Sequence, residues 1–193
     1  FFIEKQVAFF VIGSFLGLLC LQVPLAFWEK TGLLWVCLAL AVLVAVLIPG
    51  IGRTVNGSTR WIPFGPINIQ VSELVKLLLA LYFAGYLVRR RATVRTSFKG
   101  YIFPVMILAV AAALLMMQPD FGATAVVFVT CLGLLFIGGA RLREFVTLGL
   151  CGGGFLAVMV LTSPYRMARL TNFRNPWADP FNSGFQLTQS LIA

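Results

Sequence analysis

The chain has 193 residues, of which 60% are hydrophobic and 11% charged, and its mean hydropathy is +0.97. A soluble domain runs about 45–50% apolar and roughly 25% charged, so the composition excludes a soluble globular domain. The low charge excludes disorder as well. Fifteen Lys and Arg against six Asp and Glu give a net charge of +9. These basic residues are scattered between apolar runs, which points to contact with membrane lipid and away from nucleic acid.

Charges punctuate the chain. A helix needs about 20 residues to cross the bilayer's hydrocarbon. On that length the uncharged runs predict spans over 7–28 and 31–52. A turn-rich loop over 53–71 follows, with Gly57, Pro63, Gly65 and Pro66 as breakers. The next span, 72–88, reaches full length only if Glu73 and Lys76 lie inside it. Three more follow over 101–118, 121–140 and 145–163, and an amphipathic tail occupies 164–193. Nothing alternates with a period of two, so no strands are expected. The predicted fold is all-α: a polytopic helical bundle with six spans in a single transmembrane domain over 1–193.

Short basic loops set the orientation. Lys30, the group Arg89, Arg90, Arg91, Arg95 and Lys99, and the pair Arg141 and Arg143 fall on one side by helix parity, which is then cytoplasmic. Both termini, loop 53–71 and the tail face outward. Arg53, Arg60, Arg166, Arg169 and Arg174 on that side hint at an anionic partner. An outward start at Phe1 without a signal peptide, and an end at Ala193 within an apolar pattern, lead us to expect a piece of a larger membrane protein.

There is no His, which removes His catalysis and His-ligated metal from consideration. Cys20, Cys37, Cys131 and Cys151 each sit alone in an apolar run, without metal-ligand spacing. We read them as lipid-facing or packed small hydrophobes, and no metal site is predicted.

Three segments carry polar chemistry. In the first, Asn56 to Lys76, Ser72 is a plausible N-cap with Glu73 in the first turn. Glu73 and Lys76 share a helix face at a spacing of three and form either a local ion pair or the lining of a cavity. Trp61 reads as an interfacial belt residue or a cavity residue, and Arg60 beside it suits a sugar face or a phosphate. In the second, Gln118-Pro119-Asp120-Phe121-Gly122, Gln-Pro ends one helix. Asp120 either caps the next or stands as an acid at a cavity mouth. The third is the tail, where Arg166 and Arg169, three apart, suit lipid headgroups or a diphosphate. Asp179 there is a turn residue.

Taken together, Gly57-Ser-Thr-Arg60-Trp61-Ile, Gln70-Val-Ser72-Glu73-Leu-Val-Lys76, Gln118-Pro-Asp120-Phe-Gly122, Tyr165-Arg166-Met-Ala-Arg169, Asn175-Pro-Trp-Ala-Asp179-Pro and Gln186-Leu-Thr-Gln189-Ser190-Leu-Ile-Ala resemble the SEDS (shape, elongation, division and sporulation) family. The tail motifs are closer to its division-type branch than to its elongation-type branch. The resemblance covers essentially the whole chain. It implies a ten-helix inner-membrane protein, of which this chain holds the second to seventh helices. It implies a glycosyltransferase that polymerises lipid II into peptidoglycan at the outer membrane face of the division septum.

Implied partners are lipid II, membrane lipids, a class B penicillin-binding protein (an FtsI-type transpeptidase) and division proteins of the FtsQ, FtsL and FtsB type. A divalent cation, Mg²⁺ or Mn²⁺, enters as an option only. The expected substrate-binding or cavity set is Arg60, Trp61, Glu73, Lys76, Asp120, Arg166 and Arg169. The catalytic acid is expected downstream of Ala193. Two other functions share this outward cavity. One is a lipid II flippase, which needs a polar route open to both sides. The other is a division scaffold, which needs no charge in the cavity.

Overall fold

A computed structural model describes residues 2–55, 57–65, 67–97, 99–164, 166–167, 177 and 185–192. The elements are α1 (Phe2–Gln22), α2 (Leu25–Lys30), α3 (Gly32–Leu47), β1 (Arg53–Val55), β2 (Ser58–Phe64), β3 (Ile67–Gln70), α4 (Val71–Arg89), α5 (Arg91–Thr96), α6 (Lys99–Met117), α7 (Phe121–Ile137), α8 (Leu142–Leu161) and α9 (Phe185–Ile192). Among the described residues, three helical stretches, Val71–Arg89, Gly100–Met117 and Leu142–Leu161, are long and apolar enough to cross a membrane. Gln6–Gln22, Gly32–Leu47 and Phe121–Ile137 are shorter apolar helices. The helical membrane fold expected from the apolar runs is present.

Two compact units divide the chain, Phe1–Phe145 and Val146–Ala193. In the first, α3 packs on α4, and α7 packs on both α4 and α6. Their contact is filled by Leu43 and Val46 of α3, Val75, Leu79 and Phe83 of α4, Leu115 of α6, and Val127 and Leu135 of α7. Each is almost wholly buried. By contrast, the described side chains of α1 are exposed around its circumference.

Prolines shape the helices at two points. The run expected as one span over 7–28 breaks at Pro24, whose extended backbone (φ −61°, ψ 140°) ends α1 and opens α2. Proline lacks the N–H that a continuing helix needs, and it disfavours helical geometry in the residue before it. Pro104 lies inside α6. There the missing N–H frees the carbonyl of Gly100, and the Tyr86 hydroxyl takes it at 2.9 Å. Re-satisfying a freed carbonyl in this way is what apolar surroundings demand.

Strands are present against expectation. β1, β2 and β3 form a three-stranded antiparallel meander, with Thr54 opposite Thr59, Val55 opposite Ser58, and Trp61 opposite both Arg53 and Gln70. The segments are too short and too mixed in polarity to alternate visibly. Their signal is in the turns instead: Asn56-Gly57 and Gly65-Pro66 stand between the paired runs, and Asn-Gly is a strong hairpin dipeptide. Gly57 and Gly65 have φ of 75° and 60°, the left-handed region that glycine enters freely.

The helix hairpins give the first unit two ends. One is the sheet end: the end of α3, the start of α4, the α6–α7 corner and the meander. At the other, the arginine end, lie the start of α3, the end of α4, α5, the start of α6 and the α7–α8 turn.

Candidate functional site at the sheet end

Strand geometry places the first polar contacts. Residues two apart on a strand project from the same face. On β2 that pair is Ser58 and Arg60, and both reach the α6–α7 corner. The Ser58 hydroxyl donates to the Gln118 carbonyl at 2.6 Å, and Arg60 Nη1 lies 3.2 Å from Asp120 Oδ1. Each contact joins residues 60 apart in sequence.

The corner is held from below. Gln118 is fully buried, and its Nε2 donates to the Leu43 carbonyl of α3 at 3.1 Å. Asp120 is the N-cap of α7, where Oδ1 accepts from the Ala123 amide at 3.3 Å. Its backbone carbonyl accepts from the Thr124 hydroxyl at 2.9 Å. An Asp cap satisfies a backbone donor that the helix itself leaves open. Asp120 is thus a cap, one of the two roles the sequence offered, and also a charged partner of the strand.

The pairing is incomplete. Asp120 is 4% exposed, yet its Oδ2 has no hydrogen-bond partner, nor do the buried Arg60 Nε, Trp61 Nε1 and Gln118 Oε1. Buried polar atoms are nearly always paired, because leaving one open costs about 1–3 kcal/mol. Four such atoms, on Arg60 and Trp61 of β2 and on Gln118 and Asp120 of the corner, mark a place where stability is not the only constraint.

The second pair is local. Strand β3 ends at Gln70, and α4 starts at Val71, so Gln70 is the residue before the helix. Ser72, expected as the N-cap, is instead inside the first turn; its hydroxyl accepts from Gln70 Nε2 at 3.0 Å. The strand persists to Gln70 because that residue is still paired with Trp61. Glu73 and Lys76 form an ion pair at 2.7 Å. Glu73 is 60% exposed and Lys76 27%, so the pair adds little to stability. It leaves an ammonium held in place near the sheet.

Arg166 belongs to the second unit. Its Nη1 donates to the Met159 carbonyl in the last turn of α8 at 2.8 Å, which offsets a terminal carbonyl. Arg169 and Asp179 lie outside the described residues. Sequence reasoning did not single out Ser58; a serine two before an arginine is visible as a pattern only once the segment is known to be a strand.

As to a divalent cation, Asp120 and Glu73 each already carry a cationic side chain. Mg²⁺ binds through one or two carboxylates together with substrate phosphates and water. These two carboxylates do not furnish a ligand set.

Over residues 1–193 the chain matches the FtsW/RodA/SpoVE family model, described as cell cycle protein. It is 52% identical over 193 residues to the probable peptidoglycan glycosyltransferase FtsW of Nitrosococcus halophilus, covering 100% of this chain and 50% of that protein. To the corresponding protein of Allochromatium vinosum it is 55% identical over 183 residues, covering 94% and 46%. The chain therefore spans about half the length of the curated relatives it matches.

Among solved structures it is similar to a chain from a study of how a peptidoglycan synthase complex coordinates polymerization and crosslinking. That match has a TM-score of 0.74 and 28% identity and covers 98% of this chain and 56% of the other. The rod shape determining protein RodA of Thermus thermophilus matches with a TM-score of 0.69 and 27% identity, covering 83% and 50%. The full-length family match, the helical membrane fold and the roughly half-identical relatives agree: the chain belongs to the FtsW/RodA/SpoVE family of cell cycle proteins.

Proposed function

We propose that the whole protein polymerises lipid II into glycan strands at the outer face of the bacterial inner membrane during division, and that this chain supplies much of the substrate-binding end. The observation that carries the reading is the sheet end itself. In a chain with few charges, Arg60, Lys76, Asp120 and Glu73 gather where helix ends meet a small sheet. Ionisable groups are costly in or near apolar spans and tend to mark a site.

In the reaction, the 4-hydroxyl oxygen of one lipid-linked sugar attacks the anomeric carbon of another. The bond from that carbon to the diphosphate breaks, and undecaprenyl diphosphate leaves with the bonding pair. A carboxylate takes the hydroxyl proton; by the family resemblance that acid lies beyond Ala193. Arg60 and Lys76 offset the negative charge that builds on the leaving diphosphate, and Glu73 holds Lys76 in position. Arg166 and Arg169 are further candidates for the same lipid-linked anion.

A class B penicillin-binding protein is the proposed partner, supported by the likeness to a synthase complex that couples polymerization with crosslinking. Placement at the septum, with FtsQ-, FtsL- and FtsB-type proteins nearby, is part of the same proposal, and the identity to FtsW relatives supports it. Transport of lipid II is the weaker reading: between the two ends of the first unit stands the apolar packing of Leu43, Leu79, Phe83, Leu115 and Leu135.

The test is glycan synthesis from labelled lipid II by the full-length protein, purified with its partner carrying an inactive transpeptidase site. A glycan ladder is expected. No ladder, with lipid II translocated in vesicles instead, overturns the reading in favour of transport.

A further inference from the structure

We propose that Asp120 is the resting-state counter-ion of Arg60, a placeholder that a phosphate of the lipid-linked diphosphate displaces. The ligand's identity rests on the glycosyltransferase reading; the exchange itself rests on the geometry at the sheet end.

The two partners are held very differently. Asp120 is fixed, because its Oδ1 caps α7 through the Ala123 amide and its backbone carbonyl takes the Thr124 hydroxyl. The neighbouring Gln118 is anchored to the Leu43 carbonyl and to Ser58. Arg60 stands on β2 with its side chain 29% exposed, and no helix cap fixes its head group. The contact between them is single-pronged: Nη1 meets Oδ1 at 3.2 Å, while Arg60 Nε and Asp120 Oδ2 stay unpartnered. Arginine and a carboxylate that meet for stability alone tend to form two parallel bonds. Here most of the guanidinium's donors remain for another anion, and phosphate oxygens match that fork.

Three consequences follow. At rest, Asp120 lowers the effective affinity of Arg60 for phosphate by competing for it. When a diphosphate arrives, the guanidinium turns to it and Asp120 keeps its cap. On product departure, Asp120 takes Arg60 back, which speeds release. Asp120 is therefore a positioning residue, acting through Arg60 and not on the reacting atoms.

Asp120→Asn separates the roles, since asparagine caps a helix about as well as aspartate but carries no charge. The experiment uses the full-length protein in detergent and measures binding of farnesyl diphosphate by calorimetry. Competition by phosphatidylglycerol is measured in parallel. Removal of one partly buried competing charge predicts binding tighter by about 5-fold in Asp120→Asn. Arg60→Gln is expected to weaken binding, and the double variant to match Arg60→Gln alone. In glycan synthesis, Asp120→Asn lowers kcat and KM for lipid II together, whereas simple damage to the corner leaves KM unchanged or raises it.

Unchanged or weaker diphosphate binding in Asp120→Asn, with wild-type thermal stability, overturns the inference while leaving the polymerase reading intact. So does equal competition by phosphatidylglycerol, which would make the ligand a phospholipid headgroup. If Asp120→Asn does not fold, Asp120→Ser supplies another uncharged cap. Unchanged binding in Arg60→Gln overturns the inference by itself. Should the binding pattern hold while no glycan forms, the exchange stands and the polymerase reading falls.

Discussion

The two ends of the first unit handle polar groups differently. At the arginine end, most side-chain hydrogen bonds among the described residues run to backbone. Arg141 donates to the carbonyls of Arg95 and Thr96, Tyr101 to the carbonyl of Glu144 at 3.1 Å, and Tyr86 to that of Gly100 at 2.9 Å. Glu144, almost fully buried, lies 3.9 Å from Arg141 and 3.4 Å from Arg143. At the sheet end, Arg60–Asp120 and Lys76–Glu73 meet side chain to side chain, and four buried polar atoms stay unpaired, against Glu144 Oε2 and Trp35 Nε1 at the arginine end. A carbonyl cannot leave the backbone, so a group bonded to it is committed to structure. A side-chain partner can be exchanged. The arginine end thus reads as a closure for the helices, and the sheet end as the place for chemistry.

Variants at the two ends sharpen this contrast, and Lys76→Ala has the largest expected effect. It removes the ammonium that Glu73 holds, and we expect glycan synthesis to fall by about 100-fold or more. Membrane insertion should be unchanged, as read by yield and monodispersity of the full-length protein. Normal division with Glu73 and Lys76 both neutral, and no glycan synthesis by the purified wild type, would favour a scaffold.

Gln118→Leu comes next. It leaves the Leu43 carbonyl without its donor, with an expected loss of about 1–3 kcal/mol. Thermal unfolding in detergent checks it, and an unchanged Tm would mean the corner is held by other contacts. Such a loss would also perturb synthesis, because the corner carries Asp120.

Gly139→Ala tests the other end. Gly139 has φ of 83°, and a Cβ there would stand 2.6 Å from Arg95 Nε. A cost of about 1 kcal/mol in stability is expected from the left-handed backbone alone, with kcat for glycan synthesis unchanged in the folded fraction. A specific loss of kcat would break the division of labour between the ends.

The smallest effect is expected from Arg141→Lys. Lysine keeps the charge but lacks the fork that reaches two carbonyls. Stability should drop by under about 1 kcal/mol at this exposed position, measured by the same unfolding assay.

Much of this was legible in the sequence, for reasons that apply residue by residue. Helices in lipid announce themselves through uncharged length, so the apolar runs stand out. Glu73 and Lys76 are three apart on one helix, and their pairing is a local matter of helix geometry. The cap at Asp120 was readable because Gln-Pro stops one helix just before it. Strands were not readable: β1 and β3 are three and four residues long, and the seven residues of β2 mix polar and apolar side chains on both faces and include Pro63. That miss had a consequence. Without β2 as a strand, Ser58 and Arg60 have no common face, and their bonds to Gln118 and Asp120 cannot be foreseen. Those contacts join residues 60 apart, and no local rule reaches so far. The N-cap assigned to Ser72 failed for the same reason, since β3 holds the backbone extended up to Gln70.

The most direct test compares the two ends in one assay. Full-length protein with its transpeptidase-inactive partner would be given labelled lipid II, with wild type, Lys76→Ala and Arg141→Lys run side by side. The account predicts a glycan ladder from wild type and Arg141→Lys and none from Lys76→Ala. A wild-type ladder from Lys76→Ala, or equal loss in both variants, would contradict the assignment of chemistry to the sheet end.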